Sequence, residues 1–542
     1  MFFFSILFVY SSCKRDEVKA GKDLTEPQVK SVNLSDNCSD VSATAGLTIG
    51  FTEPIDPASV STNEDTVKCS GSLQISSDQF TSCVPLLSLV GADAQSRAFS
   101  VRASSRLEYT TQYQVRATRE ITDSSGNPLA ATWMQATGFT TEAQPGTVIY
   151  WTKLGGGQEA DQAKALLQDS AGDLLIAGRS KSDLSTANNG NWDFFLSKLN
   201  TTISTFIWHN SFGSTSLDYA EAAAIDGGDN IYLSGKTHGD FDGANLGGAD
   251  IALFKVDNAG SLVWKQQFGS IGDDWAFDVL VSGNDLYLAG STSGKLGSSQ
   301  GGGKDLFLAK YDVNGTRQWI QQWGGKENEA AYSLALANGK LYVGGIQSPL
   351  DQELKGERKI ILQAWSLEGS LQWSKELSSA GDDYLRAMKA DSQGNLYLAG
   401  YSYGAWQGAN QGDADGVLLK LDGDGNLLWA SQLGSSAKDM GKTLVLDQNE
   451  NPYLVGVTYG SLQCFSNQGA GDLFLASYSK DGALQWIRQT GSIGNDYPKA
   501  ALLDNNNDLV IAGWSSGNLD SNLNQGADDI FLVKYNTTGT RQ

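Results

Sequence analysis

The sequence predicts an all-β protein: a small antiparallel β-sandwich followed by a seven-bladed β-propeller closed by its own N-terminal strand. Three observations carry this. A tryptophan returns at Trp151, Trp208, Trp264, Trp319, Trp373, Trp429 and Trp486, at intervals of 57, 56, 55, 54, 56 and 57 residues. Each interval holds four short β-rich runs separated by turn residues, and a regular unit of four strands reads as a propeller blade. The chain stops at Gln542, just before the next Trp is due, while Gly146-Thr-Val-Ile-Tyr-Trp151 stands at the front with no strand before it. The first strand is therefore expected to finish the last sheet.

Bulk properties bound the function. A chain of 542 residues exceeds one ordinary core. The 62 Gly, 9 Pro and 14 Trp suit short strands and tight turns. A net charge of −22 argues against a nucleic-acid partner, because no basic stripe displaces counterions from phosphates. It suits cation binding or basic partners. His209 and His238 are the only histidines and no H-E-x-x-H or CxxC spacing occurs, so His-based zinc chemistry is not expected.

From the N-terminus, Phe2 to Tyr10 form an apolar run too short to span a bilayer, followed by Ser11-Ser12-Cys13. This pattern resembles a bacterial lipoprotein signal. The resemblance implies that residues 1–13 address the chain for export and that Cys13 carries the lipid. Residues 14–29 are polar and suit a flexible tether.

Residues 30–142 alternate in period two, as in Gly46-Leu-Thr-Ile-Gly-Phe51, Ser72 to Ile75, Arg97 to Arg102 and Gln112 to Arg116. With turn clusters about every ten residues, this reads as a sandwich. The set Phe51-Thr-Glu-Pro-Ile-Asp-Pro, Tyr109 to Tyr113, Ile121-Thr-Asp-Ser-Ser-Gly-Asn-Pro and Gly138-Phe-Thr-Thr resembles the bacterial Ig-like family. That implies a spacer or adhesion-type module without catalysis. Cys69 and Cys83 bracket a hairpin-like run and are the candidate disulfide. Closing that 15-residue loop is worth about 3 kcal/mol in the chain-entropy model. Cys38 leaves three pairings open, and Cys464 stands alone in a loop.

Residues 143–542 carry the repeats. Gly falls five positions after Trp in every unit except the one with Ser378. A second strand ends in a turn such as Asp391-Ser-Gln-Gly-Asn395, and a third ends in Gly, as in Leu396 to Gly400. A long loop and a fourth strand, as in Asp305 to Lys310, complete the unit. The motif Asp-x-Ala…Asp-x-x-Gly-Asn-Leu-Tyr-Leu-Ala-Gly resembles the bacterial β-propeller repeat family of exported proteins. The fourth unit departs from it at Lys359 and Ala364. The Trp rings are expected between adjacent blades.

Ten positions after each Trp stands an acid: Asp161, Asp218, Asp274, Glu329, Asp383, Asp439 and Asp496. These would ring the channel as a cation site, calcium being the candidate, or as a negative funnel for a basic ligand. Alternatively each pins a turn, and its presence in every unit favours that construction role. Asp422-Gly-Asp-Gly-Asn426 looks like the start of a calcium loop but occupies a hairpin turn. Phe241 and Trp406 align with loop-anchoring leucines, whereas Trp514, Tyr401, Tyr403 and Tyr459 are candidate ligand contacts.

These readings together describe an exported, lipid-anchored envelope protein. Its propeller would bind a protein or glycan on the long-loop face, with the lipid as its membrane contact and no catalysis. A lyase or hydrolase using channel-mouth carboxylates, or a purely structural envelope component, are the alternatives.

Overall fold

The computed structural model describes residues 25–34, 41, 46–63, 68–87, 95–108, 110–141, 152–184, 191–201, 205–297, 301–350, 357–463, 465–519 and 524–541. Cys13, Cys38, Trp151, Cys464 and the run Gly146 to Tyr150 lie outside these residues. The chain divides into two compact units, 1–144 and 145–542. No described helix is long and apolar enough to cross a membrane.

Among its described residues the first unit contains two small antiparallel sheets. One joins Val29–Val32, Leu47–Phe51 and Ala98–Val101. The other joins Leu73–Ser76, Gln112–Ala117 and Trp133–Met134, with Phe139–Thr140 also paired to Gln112–Ala117. The period-two pattern does what it predicts. Leu47, Ile49 and Phe51 are buried, while Thr48 and Gly50 between them are partly exposed. Phe51 packs edge-on against Phe99, and Tyr113 stacks on Phe139. Cys69 and Cys83 form a disulfide, with their Cα atoms 4.9 Å apart.

The second unit holds, among its described residues, seven four-stranded antiparallel sheets. The sixth is representative: Asp439–Leu446, Pro452–Thr458, Asp472–Tyr478 and Leu484–Thr490. The first strands of consecutive sheets touch one another, and that of the seventh, Asp496–Leu503, touches that of the first, Asp161–Gln168. The sheets therefore form a closed ring around a channel lined by these inner strands, which is a β-propeller. The seam lies in the seventh sheet. There Asp529–Tyr535 pairs antiparallel with Thr152–Gly155, Phe531 opposite Leu154.

Apolar clusters fill the spaces between blades. The six described outer-strand tryptophans sit there as expected. Trp208 packs with the second blade's core, and Gly260 in that blade's turn comes close enough that a Cβ would lie 3.1 Å from the indole. The same contact joins Trp264 to Gly315 and Trp429 to Gly482. These turn glycines adopt φ of +89°, +89° and +88°, a region that disfavours a side chain in any case. The turn at Asp422 is also mechanical. Its carboxylate accepts the backbone N–H groups of Asp424 and Asn426 and the Asn426 side-chain amide, at 2.8–3.0 Å.

Candidate functional site

The acids ten residues after each Trp do not line the channel. Asp161, Asp218, Asp274, Glu329, Asp383, Asp439 and Asp496 all have 0% of their surface exposed. Each stands at the start of an inner strand and holds the link that precedes it. The Asp439 carboxylate accepts the Ser435 backbone N–H at 2.6 Å and the Ser435 hydroxyl at 2.9 Å. Asp218 takes the same two donors from Ser214, Asp274 from Ser270, Asp383 from Ser379 and Asp496 from Ser492. Asp161 accepts from Gly157 N–H and the Ser182 hydroxyl. Glu329 accepts from Gly325 N–H and the Gln347 amide. Four residues separate each acid from its backbone donor, so the carboxylate closes a tight loop. These contacts match the turn-pinning role that the repetition in every unit favoured, and none of the seven carboxylates is exposed to form the alternative cation ring or negative funnel. Among the described residues no group of three or more His, Cys, Asp or Glu is placed to hold a metal ion.

A second buried carboxylate lies beside most of these acids. Asp250, which opens a third strand, accepts from Gln267 at 2.9 Å and from Leu246 N–H at 3.0 Å. Burial raises the pKa of Asp274 and of Asp439, and the adjacent Asp250 and Asp415 carboxylates add to the rise.

What reaches the channel comes from three residues further along each inner strand. Strand register slips there in all seven blades, as between Leu385 and Ala387, Gly441 and Thr443, and Pro498 and Ala500. The skipped residue is a β-bulge, which re-aims its side chain. The bulge exists because the opposite strand supplies glycine. A Cβ on Gly400 would lie 1.8 Å from the Tyr384 carbonyl oxygen, and the other six blades repeat this contact at 1.8–2.3 Å. Sequence reading placed these glycines at strand ends. They are interior instead, the strand of Gly400 running Leu396–Ser402, because the missing side chain accommodates the bulged backbone.

The seven bulged side chains are Lys164, Arg386, Lys442 and Lys499 with Glu221, Phe277 and Tyr332. They line a cavity of about 400 Å³, within the size range of small-molecule sites. Four cations to one anion is a local inversion in a chain of net charge −22. Lys164 pairs with Glu221 at 3.7 Å. Lys442 has no carboxylate partner among the described residues. Its Nζ lies 4.5 Å from the Tyr497 ring centroid and 5.4 Å from that of Tyr401. Burial, with Arg386, Lys499 and Lys438 nearby, pushes Lys442 down to about 6. Burial and Lys164 push Lys499 down to about 7, against the pull of Glu221. The Arg386 guanidinium donates to the Tyr401 hydroxyl at 3.1 Å, while its Nε is buried without a partner.

Toward the long-loop face, aromatic pairs lie next to the bulges. Register pairs Tyr384 with Tyr401 and Tyr497 with Trp514. Both pairs stack, at 4.4 and 5.2 Å between centroids. Tyr403 joins the first pair. Lys236 sits 3.4 Å above Trp275, and Arg179 sits 4.6 Å from Trp192. The structure thus brings Tyr401 and Tyr403 together, sets Trp514 against Tyr497 instead, and leaves Tyr459 36% exposed. Phe241 packs between Phe194 and Phe254, and the Trp406 indole N–H donates to Asp383 at 2.7 Å, so both anchor their loops. Sequence reading missed Arg386, Lys442 and Lys499. Their signal was a charged or aromatic residue three positions after every acid.

Residues 23–141 match the family model of the bacterial Ig-like domain. The regulatory protein FlaEY of Caulobacter vibrioides is 27% identical over 303 residues, 53% of this chain and 28% of that protein. The match therefore spans little more than a quarter of the relative. Among solved structures, the WD40 β-propeller domain of Doa1 aligns with TM-score 0.40 and 11% identity, over 71% of this chain and 97% of that one. A polysaccharide lyase family 25 ulvan lyase aligns with TM-score 0.46 and 12% identity, over 71% and 96%. A 6-phosphogluconolactonase-like protein from Bacteroides uniformis aligns with TM-score 0.42 and 14% identity, over 68% and 94%. In sum, the chain is similar to the bacterial Ig-like family over residues 23–141.

Proposed function

We propose that this chain is an exported envelope protein, anchored through a lipid on Cys13, whose propeller binds a ligand at its channel without transforming it. One observation carries the reading: seven bulges deliver charged and aromatic side chains to one level of a 400 Å³ channel, with stacked aromatic pairs beside it. Bulges are local devices for aiming side chains, and a concave site with converging polar groups is the default binding hypothesis. Catalysis by mouth carboxylates loses its support because those carboxylates are committed to turns.

The test is a thermal-melting screen of the full chain against an oligosaccharide and peptide panel. A ligand selective for the native state raises the melting temperature by mass action. The double variant Tyr497→Ala, Trp514→Ala is expected to abolish the shift. A ligand bound equally well by that variant moves the site elsewhere.

One observation favours an enzyme as second reading. Burial and the neighbouring cations hold Lys442 far below an ordinary lysine, at about 6, and an amine in that range has the form of a general base. Turnover of a bound ligand, lost in Lys442→Gln, would replace the binding reading.

A further inference from the structure

Three of the channel's four basic bulge side chains form no ion pair with an acid among the described residues, Lys164 alone pairing with Glu221. Arg386, Lys442 and Lys499 occupy the bulges of three consecutive inner strands. Arg386 keeps its charge at any pH a protein meets, yet the groups that interact with it are tyrosines rather than acids. Lys442 is 9% exposed. It meets Tyr401, Tyr497 and the sulfur of Met440. Folding such groups together without counter-charge opposes stability. Elsewhere in the propeller the same chemistry is neutralised: Lys198 meets Asp169 at 2.6 Å and Lys534 meets Asp504 at 2.7 Å. The unneutralised set is confined to one side of the channel, beside the two stacked aromatic pairs.

We propose that the channel is a site for an acidic oligosaccharide, whose carboxylate or sulfate ester seats among Arg386, Lys442 and Lys499 while its sugar rings lie on Tyr384–Tyr401 and Tyr497–Trp514. The anion supplies the missing counter-charge in a region where water screens it poorly. Guanidinium offers a forked pair of donors to carboxylate or sulfate, and the ammonium groups add point charges. The aromatic pairs favour a saccharide over an acidic peptide, because the C–H face of a sugar ring packs on a flat aromatic surface while its hydroxyls remain free to hydrogen-bond. The proposal rests on the binding reading above and names the ligand class. It also carries a proton signature. Lys442 faces Arg386, Lys438 and Lys499 together with Tyr401 and Tyr497, and an anion placed there makes protonation of the lysine favourable.

The experiment is isothermal titration of the full chain at pH 7.5 with four probes: a uronic-acid trisaccharide, a sulfated trisaccharide, an uncharged trisaccharide and a glutamate-rich peptide. One or both acidic sugars are expected to bind at least about tenfold tighter than the neutral one, the two arms telling carboxylate from sulfate. Lys442→Gln and Lys499→Gln are each expected to weaken that binding at least about tenfold. Heat measured in buffers of different ionisation enthalpy should report proton uptake that Lys442→Gln removes. Equal binding of the neutral sugar, lost in Trp514→Ala, would overturn the anion proposal and leave the channel reading standing. Peptide binding without sugar binding, undiminished affinity in both lysine variants, or no binding of any probe would overturn the proposal.

Discussion

Two circles of side chains run round the propeller on the same inner strands, three residues apart. In the first, every blade supplies an acid; in the second, the blades supply lysine, glutamate, phenylalanine, tyrosine and arginine. The uniform circle is fully buried and ties each strand to the link before it. The varied circle faces the channel. Both are equally periodic, so periodicity alone does not mark function. Uniformity within the repeat marks what every blade needs in order to fold. Variation at a position that geometry holds constant marks where blades differ in what they present.

The largest effect that separates the circles is on stability. Asp439→Ala leaves the Ser435 N–H and hydroxyl without their acceptor, and is expected to cost about 3 kcal/mol in denaturant melts. Lys442→Met, three residues along, should cost nothing at pH 7 or raise the melting temperature, since it removes an amine whose protonation the fold disfavours. The opposite ranking would exchange the two roles.

Next in size is Gly400→Ala, expected to cost about 2 kcal/mol because its Cβ meets the Tyr384 carbonyl. It should also weaken any channel ligand, since Arg386 is the side chain that bulge aims. Unchanged stability would mean that the bulge does not need the glycine.

A smaller contrast uses the exception among the glycines five residues after Trp. Where the third strand opens with Asp, a Cβ on that glycine would come within 2.0–2.6 Å of the carboxylate oxygen, as Gly434 does with Asp415. The fourth blade opens that strand with Lys359, and there the following link carries Ser378. Gly434→Ala is expected to cost about 1–2 kcal/mol and Ser378→Gly less than about 0.5, by chemical denaturation. Equal costs would sever the link between glycine and carboxylate.

The last contrast is in pH dependence. Lys442 and Lys499 are held at about 6 and 7 in the fold, below the value near 10.5 of an unfolded lysine. Each therefore takes away stability, fully below its folded pKa and progressively less as pH rises toward 10. The wild type should gain stability between pH 6 and 9 relative to the Lys442→Met, Lys499→Met double variant. Parallel profiles would mean that these lysines are charged in the fold.

Much of the architecture was legible. The Trp period announced the blades, and the unfinished last unit announced the seam that Thr152–Gly155 closes. Cys69 and Cys83, one of three open pairings, are joined. The acids admitted two readings because sequence gives spacing but not direction: a residue opening a strand can face the channel or fold back on its own link. The channel site was hidden by the bulge. Alternation puts residues two apart on one face, so a side chain three positions after a buried acid has no predictable direction until the strand is known to slip there. Trp514 and Tyr401 were visible as odd aromatics, but their stacking partners Tyr497 and Tyr384 lie across the strand register and were not.

The seam has a consequence in time. Thr152–Gly155 finds its hydrogen-bonding partner only when Asp529–Tyr535 has been made, some 375 residues later. At about 5–20 residues per second of synthesis, that is a wait of roughly 20–75 s. During it, Thr152–Gly155 remain an open template. A neighbouring nascent chain that offers its own final strand can then complete the wrong ring, producing an exchanged dimer or an open string of molecules. Spacing the chains during synthesis removes that hazard. The balance between one closed ring and an entangled pair is therefore expected to follow the local concentration of growing chains.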